Sequence, residues 1–249
     1  MRAILTYHSL DPSGSPISVD PGVFAAQVRW LASGAVRVVG LEELWRLPAD
    51  ADAVALTFDD AFENFGTVAA PLLREHGLPA TLFVVTGHVG GQNDWNAERD
   101  PRIPTLPLLA WPALARLAEQ GITLGGHTRR HPHLTRLAPE ARAEELAGAA
   151  DEMARETGRR PATFAYPYGD ANAAVAAEAR ATFALGCTTE LRAVAGGDDP
   201  LLLPRLDMYY LRAPGKLEAW GTARFAAELW VRAQGRRARS ALAGARGGW

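Results

Sequence analysis

Eight short β-rich runs alternate with Ala/Leu-rich helical stretches along this chain, and that alternation narrows its fold more than any other feature. The runs are Ala3–Tyr7, Val36–Val39, Ala53–Phe58, Ala80–Val85, Ile122–Gly125, Thr163–Tyr166, Phe183–Thr188 and Leu203–Met208. Between most of them lie helical patterns at Pro21–Ser33, Leu41–Arg46, Phe65–His76, Leu109–Gln120, Pro139–Thr157 and Ala171–Ala181. Asp170 stands at the N-cap position of the last, and Gly121 and Gly158 stand at C-cap positions. Strands that alternate with helices make a mostly parallel sheet of the α/β class. About seven to eight strands in 249 residues predict an irregular (β/α) barrel rather than an open sheet. The expected division is a barrel over residues 1–214, with a C-terminal helix and basic tail over 215–249 docked on it.

Composition excludes some functions. The chain is 48% hydrophobic, enough for a sizeable core. Its formal charge of -2 gives no general attraction to nucleic acid. A single cysteine, Cys187, cannot form an internal disulfide and signals no oxidising compartment. The first apolar run, Ala3 to Tyr7, is too short for a secretory signal, and no run reaches the roughly 18 residues of a spanning helix. A cytoplasmic location is the simplest expectation. After Pro214, Arg224, Arg232, Arg236, Arg237, Arg239 and Arg246 outnumber the acids, while Phe225, Leu229, Trp230 and Ala233 recur at helical spacing. A docked terminal helix is the plainer reading. Peripheral contact with an anionic membrane or a phosphate-bearing carrier is the sharper one.

Reactive residues gather where the strand runs end, the edge that builds active sites in β/α barrels. Leu56-Thr57-Phe58-Asp59-Asp60 ends one strand in two carboxylates whose side chains diverge, so one can ligate a metal while the other acts as a base. An N-cap beside a solvated acid would look the same. Gly126-His127-Thr128-Arg129-Arg130-His131-Pro132-His133 places two histidines three residues apart in a turn. Two imidazoles and a carboxylate suit a hydrolytic divalent ion with open positions, whereas a lone histidine is usually structural. His133 is expected behind the ligands or on the surface, and His76 and His88 are expected to be structural. Phe164 to Asp170 runs from strand through a tight turn whose N–H groups can face an oxyanion, or simply connects two elements. His8, after the first strand, can be a general acid to a leaving amine or a buried hydrogen-bonded histidine.

Thr57-Phe58-Asp59-Asp60 together with His127-Thr128-Arg129-Arg130-His131-Pro132 resembles the polysaccharide deacetylases, the NodB-homology group also called carbohydrate esterase family 4. Phe164 to Gly169 is similar to that family's third motif, and the resemblance spans roughly residues 1–210. It implies an irregular β/α barrel with a divalent metal, usually Zn2+, with Co2+, Ni2+ or Fe2+ compatible with the same ligands. It implies Asp59 as general base, Asp60, His127 and His131 as metal ligands, and the backbone N–H of Tyr168 as an oxyanion donor. Two positions depart from the pattern. Ala165 stands where an arginine commonly supports the base, and the late strand Leu203 to Met208 carries no histidine. Both departures resemble the branch that deacetylates poly-N-acetylglucosamine, where an early Tyr-His supplies the acid. His8 takes that role by analogy, and support of Asp59 falls to Arg205 or another group.

The expected reaction is removal of acetyl groups, chiefly N-acetyl, from a carbohydrate. Without an export signal, a nucleotide-linked or lipid-linked sugar precursor fits better than a finished polysaccharide. Trp95 and Trp111 could stack on a sugar but are more often core, and Asp94 and Asn96 could hydrogen-bond one. Two rival readings stand. A glycoside hydrolase needs two carboxylates about 5–10 Å apart and would leave the paired histidines unexplained. A non-catalytic glycan-binding barrel would account for Ala165 and the missing late histidine.

Overall fold

A computed structural model describes residues 1–95 and 100–245 of the chain, with side chains as far as Arg236. Asn96, and Arg246 with the last three residues, lie outside the described residues, as do the side chains of Arg237 and Arg239. The eight expected strands are all present: β1 (Arg2–Tyr7), β2 (Arg37–Val38), β3 (Ala53–Phe58), β4 (Ala80–Val84), β5 (Thr123–Gly126), β6 (Thr163–Ala165), β7 (Leu185–Cys187) and β8 (Leu206–Asp207). The helices are α1 (Pro21–Ala32), α2 (Leu41–Arg46), α3 (Ala70–Glu75), α4 (Trp111–Glu119), α5 (Pro139–Thr157), α6 (Ala173–Ala179) and α7 (Ala223–Ala245). A π-helical turn, Phe65–Ala69, leads into α3, where Pro71 has no N–H to continue an α-helical ladder.

The strands form one curled, all-parallel sheet in the order β7-β6-β5-β4-β3-β1-β8, with β2 branching from β3. Every residue of β1 and β3 is buried, as parallel strands require when both faces are covered. The curl is bridged, not closed by direct pairing of β7 with β8. Residues 200–203 run along β7, with Gly186 N donating to Pro200 O at 2.8 Å and Thr188 N to Leu203 O at 2.8 Å. The same segment then enters β8 beside β1. The result is an irregular β/α barrel, as the alternation predicts.

Parallel register brings one set of strand ends to one edge. Tyr7 lies opposite Phe58, and Val84 opposite Gly126. His8, Asp59 and His127 therefore emerge one residue beyond the ends of β1, β3 and β5, on the same edge of the sheet. The two glycines that end β5 have different neighbours. A Cβ on Gly125 would come within 2.5 Å of the Phe83 ring and 2.7 Å of Thr163 Oγ1.

Local details correct the sequence reading at three points. Asn172, not Asp170, caps α6 by accepting from Val175 N at 3.0 Å. Asp170 instead accepts from the backbone N–H and hydroxyl of Thr135, at 2.9 and 2.8 Å. The third is Trp230 on α7, which helical spacing groups with Phe225 and Leu229. Phe225 and Leu229 are buried, together contributing about 3–6 kcal/mol, and Arg232 and Arg236 lie over the Tyr210 ring. Trp230 and Val231 face solvent, 64% and 61% exposed. Among the described residues no helix is long and apolar enough to cross a membrane.

Gly125→Ala should lower stability by about 1–3 kcal/mol through overpacking. The urea midpoint of unfolding reads this directly, and an unchanged midpoint would show that β5 can shift away from Phe83.

Candidate active site

The five non-glycine residues with positive φ among the described residues are Asp60 (71°), Ala61 (56°), Thr128 (65°), His131 (58°) and Tyr168 (60°). All lie in the three loops that the sequence singles out, after β3, β5 and β6. Each left-handed residue costs about 1–2 kcal/mol, so this clustering marks where geometry has been favoured over backbone comfort.

The structure brings Asp60, His127 and His131 together. One ligand atom from each lies within 4.8 Å of the others, and all three residues are buried. Asp60 Oδ1 is 3.4 Å from His127 Nε2 and 3.5 Å from His131 Nε2. Two ligands about 2.1 Å from a tetrahedral ion stand about 3.4 Å apart, so these separations suit one small divalent cation. Asp60 Oδ1 is buried with no hydrogen-bond partner, a vacancy in satisfaction that a cation would fill. His127 Nδ1 is 2.7 Å from the carbonyl of Ala165. A carbonyl can only accept, so Nδ1 carries a proton and Nε2 is the nitrogen turned toward Asp60, the one placed to ligate. Burial pushes the His131 imidazole down to about 3 against the pull of the Asp60 carboxylate, so it is neutral and fit to ligate. Burial would also depress His127, but the adjacent Asp60 and Asp59 carboxylates outweigh it and draw it up. The residues fit a divalent metal.

Asp59 is in a different environment. Arg205, 1% exposed, reaches it with two parallel bonds, Nη1 to Oδ1 at 2.6 Å and Nη2 to Oδ2 at 2.7 Å. The guanidinium is itself held, donating from Nη1 to Thr6 Oγ1 and from Nε to Thr188 O, both at 2.9 Å. Burial would raise the Asp59 carboxyl, but the Arg205 charge overcomes it and holds the group well below the usual carboxylate range. Arg205 thus supplies the cation that Ala165 cannot, from the segment before β8. Asp60 is also lowered: burial opposes ionisation, but His127 and His131 outweigh it. Neither acid is a protonated carboxyl at neutral pH, so the pair lacks the proton donor of a glycoside hydrolase.

His8 Nε2 stands 3.6 Å from Asp59 Oδ2 and is partly open to solvent. It lies two residues beyond Thr6, which pairs with Asp207 across β1 and β8. The Asp207 carboxyl is raised by burial against the pull of His8. The third loop turns at Tyr168, whose carbonyl accepts from Thr189 Oγ1 at 3.4 Å. Gly169 (φ 70°) follows, and a Cβ there would strike Thr189. The Tyr168 ring stacks on His133 at 4.2 Å and meets His131 edge-on at 4.6 Å. His133 therefore packs behind the ligand pair.

These groups line a cleft of about 310 Å³ whose far wall comes from the irregular segment after β4. Of the two places open to Trp95, core or sugar-facing wall, it takes the second: it lines the cleft, 4.6 Å from the His131 ring. Trp111 packs against the core from α4. His88 reaches Asp94 at 3.2 Å and meets Trp95 edge-on, bracing the wall. Asn93 fixes the loop by donating to Pro104 O at 3.0 Å and accepting from Leu106 N at 2.7 Å. Ile17, Asn93, Asp100, Ile103 and Thr189 also line the cleft and carry no sequence signal that marks them. Cys187 is buried, and burial pushes its thiol up to about 12, so it is an inert core residue.

Comparison with known proteins gives the family and the fold. A family model described as polysaccharide deacetylase matches residues 46–184. A putative polysaccharide deacetylase, YxkH of Bacillus subtilis (strain 168), is 25% identical over 194 residues, 75% of this chain. The match spans 64% of that relative's length. A poly-beta-1,6-N-acetyl-D-glucosamine N-deacetylase of Staphylococcus aureus (strain MSSA476) is 33% identical over 85 residues, 32% of this chain and 29% of its own. Among solved structures, IcaB from Ammonifex degensii superposes with a TM-score of 0.71 at 25% identity, covering 88% of this chain and 93% of its own. The Streptococcus pyogenes deacetylase PplD, in complex with acetate, gives 0.69 at 25% identity, covering 82% and 91%.

Arg205→Met should lower stability at pH 7 by about 3–5 kcal/mol, because it leaves Asp59 charged, buried and unpaired. In the wild type Asp59 is depressed, so its contribution is full above the unfolded carboxylate value of about 3.9 and is lost as pH falls through the folded one. In the variant the unpaired carboxyl is raised and gains a proton in mild acid. The deficit should therefore shrink between pH 7 and pH 4.5 in urea titrations; a constant deficit would show that Arg205 acts through packing alone.

Proposed function

The chain belongs to the polysaccharide deacetylase family, and from that premise we propose that it is a metal-dependent hydrolase that removes N-acetyl groups from a carbohydrate or carbohydrate precursor. The observation that carries this reading is the juxtaposition of an orphaned Asp60 oxygen and two imidazoles with a second carboxylate, Asp59, clamped by Arg205.

Asp60, His127 and His131 would hold the ion. When bound, such an ion polarises an acetyl carbonyl and acidifies a water; zinc is the usual choice, and the donor set also suits cobalt, nickel or iron. Asp59 accepts a proton from the attacking water. Its carboxylate is ionised at neutral pH, and Arg205 fixes its orientation so that both oxygens cannot turn away. The backbone N–H of Tyr168, in its left-handed turn, donates to the oxygen of the tetrahedral carbon. His8 gives a proton to the departing nitrogen as the C–N bond breaks, leaving acetate and a free amine.

The S. aureus relative's name supports poly-N-acetylglucosamine or a related N-acetylated sugar as the substrate class. Trp95 offers a ring face at the cleft wall, and Asp100 a carboxylate. Of the expected peripheral membrane contact, the described residues supply two exposed apolar side chains, Trp230 and Val231. A glycan-binding barrel without catalysis would not need Asp59 clamped in an ionised form beside a ligand set, which favours the enzyme.

The test is acetate release from an N-acetylglucosamine oligomer by the purified protein before and after chelation. Release that stops on chelation and returns with zinc is the expected result; full release after chelation would sink the scheme. His8→Ala should slow hydrolysis of the amide by about 10²–10⁴-fold while affecting an activated acetyl ester far less, because only the amide needs its leaving group protonated. Equal losses on the two substrates would remove His8 from the acid's role.

A further inference from the structure

The five-residue loop between the two histidine ligands, His127 to His131, is held on both sides. On one side Thr86 N donates to Thr128 O at 3.1 Å and Gly87 N to Arg129 O at 2.8 Å. A Cβ at Gly87 would lie 2.6 Å from that same Arg129 oxygen, so only glycine permits the approach. On the other side stands one face of α5. Glu145, 3% exposed, accepts from the backbone N–H of Arg129 and of Arg130 on a single oxygen, Oε2, both at 2.9 Å. Its other oxygen accepts from Arg130 Nη1 at 3.3 Å. One turn along α5, Gly148 leaves a groove in which the Arg129 side chain lies, since a Cβ there would be 2.9 Å from Arg129 Cδ. Glu152, a further turn on, receives Arg129 Nε at 2.9 Å.

The loop has reason to need a tether. Thr128 and His131 both adopt left-handed φ, which is uncommon outside glycine and is a genuine outlier for the β-branched Thr128. Thr128 Oγ1 accepts from His131 N at 3.0 Å, which shapes the turn from within but anchors it to nothing outside the loop. Two successive backbone N–H groups that converge on one carboxylate oxygen form an anion-binding concavity. Glu145 fills it from the rigid middle of a 19-residue helix.

We propose that Glu145 is a positioning residue for the metal pair: it holds the Arg129–Arg130 backbone so that His127 and His131 both face Asp60. The inference rests on the metal reading above and extends it to a residue with no contact to the ion, the substrate or either imidazole. Without the carboxylate, the two N–H groups lose their partner, the loop samples other turns, and His131 ceases to be held in register with His127. The affinity for a divalent ion then falls even though all three ligands remain.

The test titrates zinc into metal-free protein against a chromophoric chelator and follows amide hydrogen exchange in the same samples. In wild-type protein the amides of Arg129 and Arg130 should be protected before zinc is added; unprotected amides overturn the inference without any variant. Glu145→Ala should raise the zinc dissociation constant by about 10–100-fold and speed exchange at those two amides. Glu145→Gln keeps an acceptor oxygen and should recover most of the affinity. A Glu145→Ala protein that melts earlier but binds zinc as wild type does would assign Glu145 to structure alone and overturn the inference. Wild-type protein that takes up no zinc overturns the metal reading and this inference together, so the two failures are told apart.

Discussion

Two carboxylates sit next to each other in the sequence, yet only one has a cation of its own. Arg205, itself buried, neutralises Asp59 through two parallel bonds. Asp60 faces two imidazoles and keeps an unsatisfied oxygen. The site depends on that asymmetry. Burial alone would raise each of these carboxyls, and a bare one would be driven toward its protonated form. Arg205 keeps Asp59 charged and the two imidazoles keep Asp60 charged, so one is committed to proton transfer and the other left to an ion.

A buried ion pair is weak evidence of stability, because desolvation of both partners offsets much of their attraction. A well-packed apolar pair in place of Asp59 and Arg205 would hold the barrel as well. What the pair supplies is direction. The guanidinium is fixed by Thr6 on β1 and by the Thr188 carbonyl after β7, on either side of the bridged seam. The side chain that orients the base therefore also ties together the two ends of the curled sheet, and closure of the barrel and readiness of the site are one set of contacts.

Much of this was legible in the chain. Strands β1, β3 and β4 follow from dense runs of buried residues, because both faces of a central parallel strand are covered, while the short, partly exposed β2 and β5 follow from their place in the strand–helix alternation. Asp59, Asp60, His127 and His131 stood out because strand ends are where a barrel puts chemistry. The helix cap was misread since Asp170 and Asn172 are equally good capping types two residues apart, and the choice turns on Thr135, a contact across 35 positions. Arg205 was one candidate among several, an arginine in an apolar strand, and only the fold shows that its reach ends on Asp59. Glu145 left no trace, because a glutamate in a charged helix reads as solvated surface until the loop that covers it is placed. Trp95 likewise becomes a cleft residue only once its ring is placed against His131.

The strain at the site follows from the same division of labour. Asp59 and Asp60 must point to different partners from consecutive positions. An extended strand would send their side chains to opposite faces, one into the core. Positive φ at Asp60 and again at Ala61 turns the chain sharply enough that both carboxylates stay on the cleft side, one toward Arg205 and one toward the histidines. The same device recurs at Thr128 and His131, which bring two ligands from one short loop to one point, and at Tyr168, which turns the third loop across the cleft. Five residues in disfavoured conformations amount to about 5–10 kcal/mol, as much as the whole net stability of many domains. That expense is sustainable only because the strands beneath are fully buried and the loops are tied down by Arg205, Glu145 and Thr189.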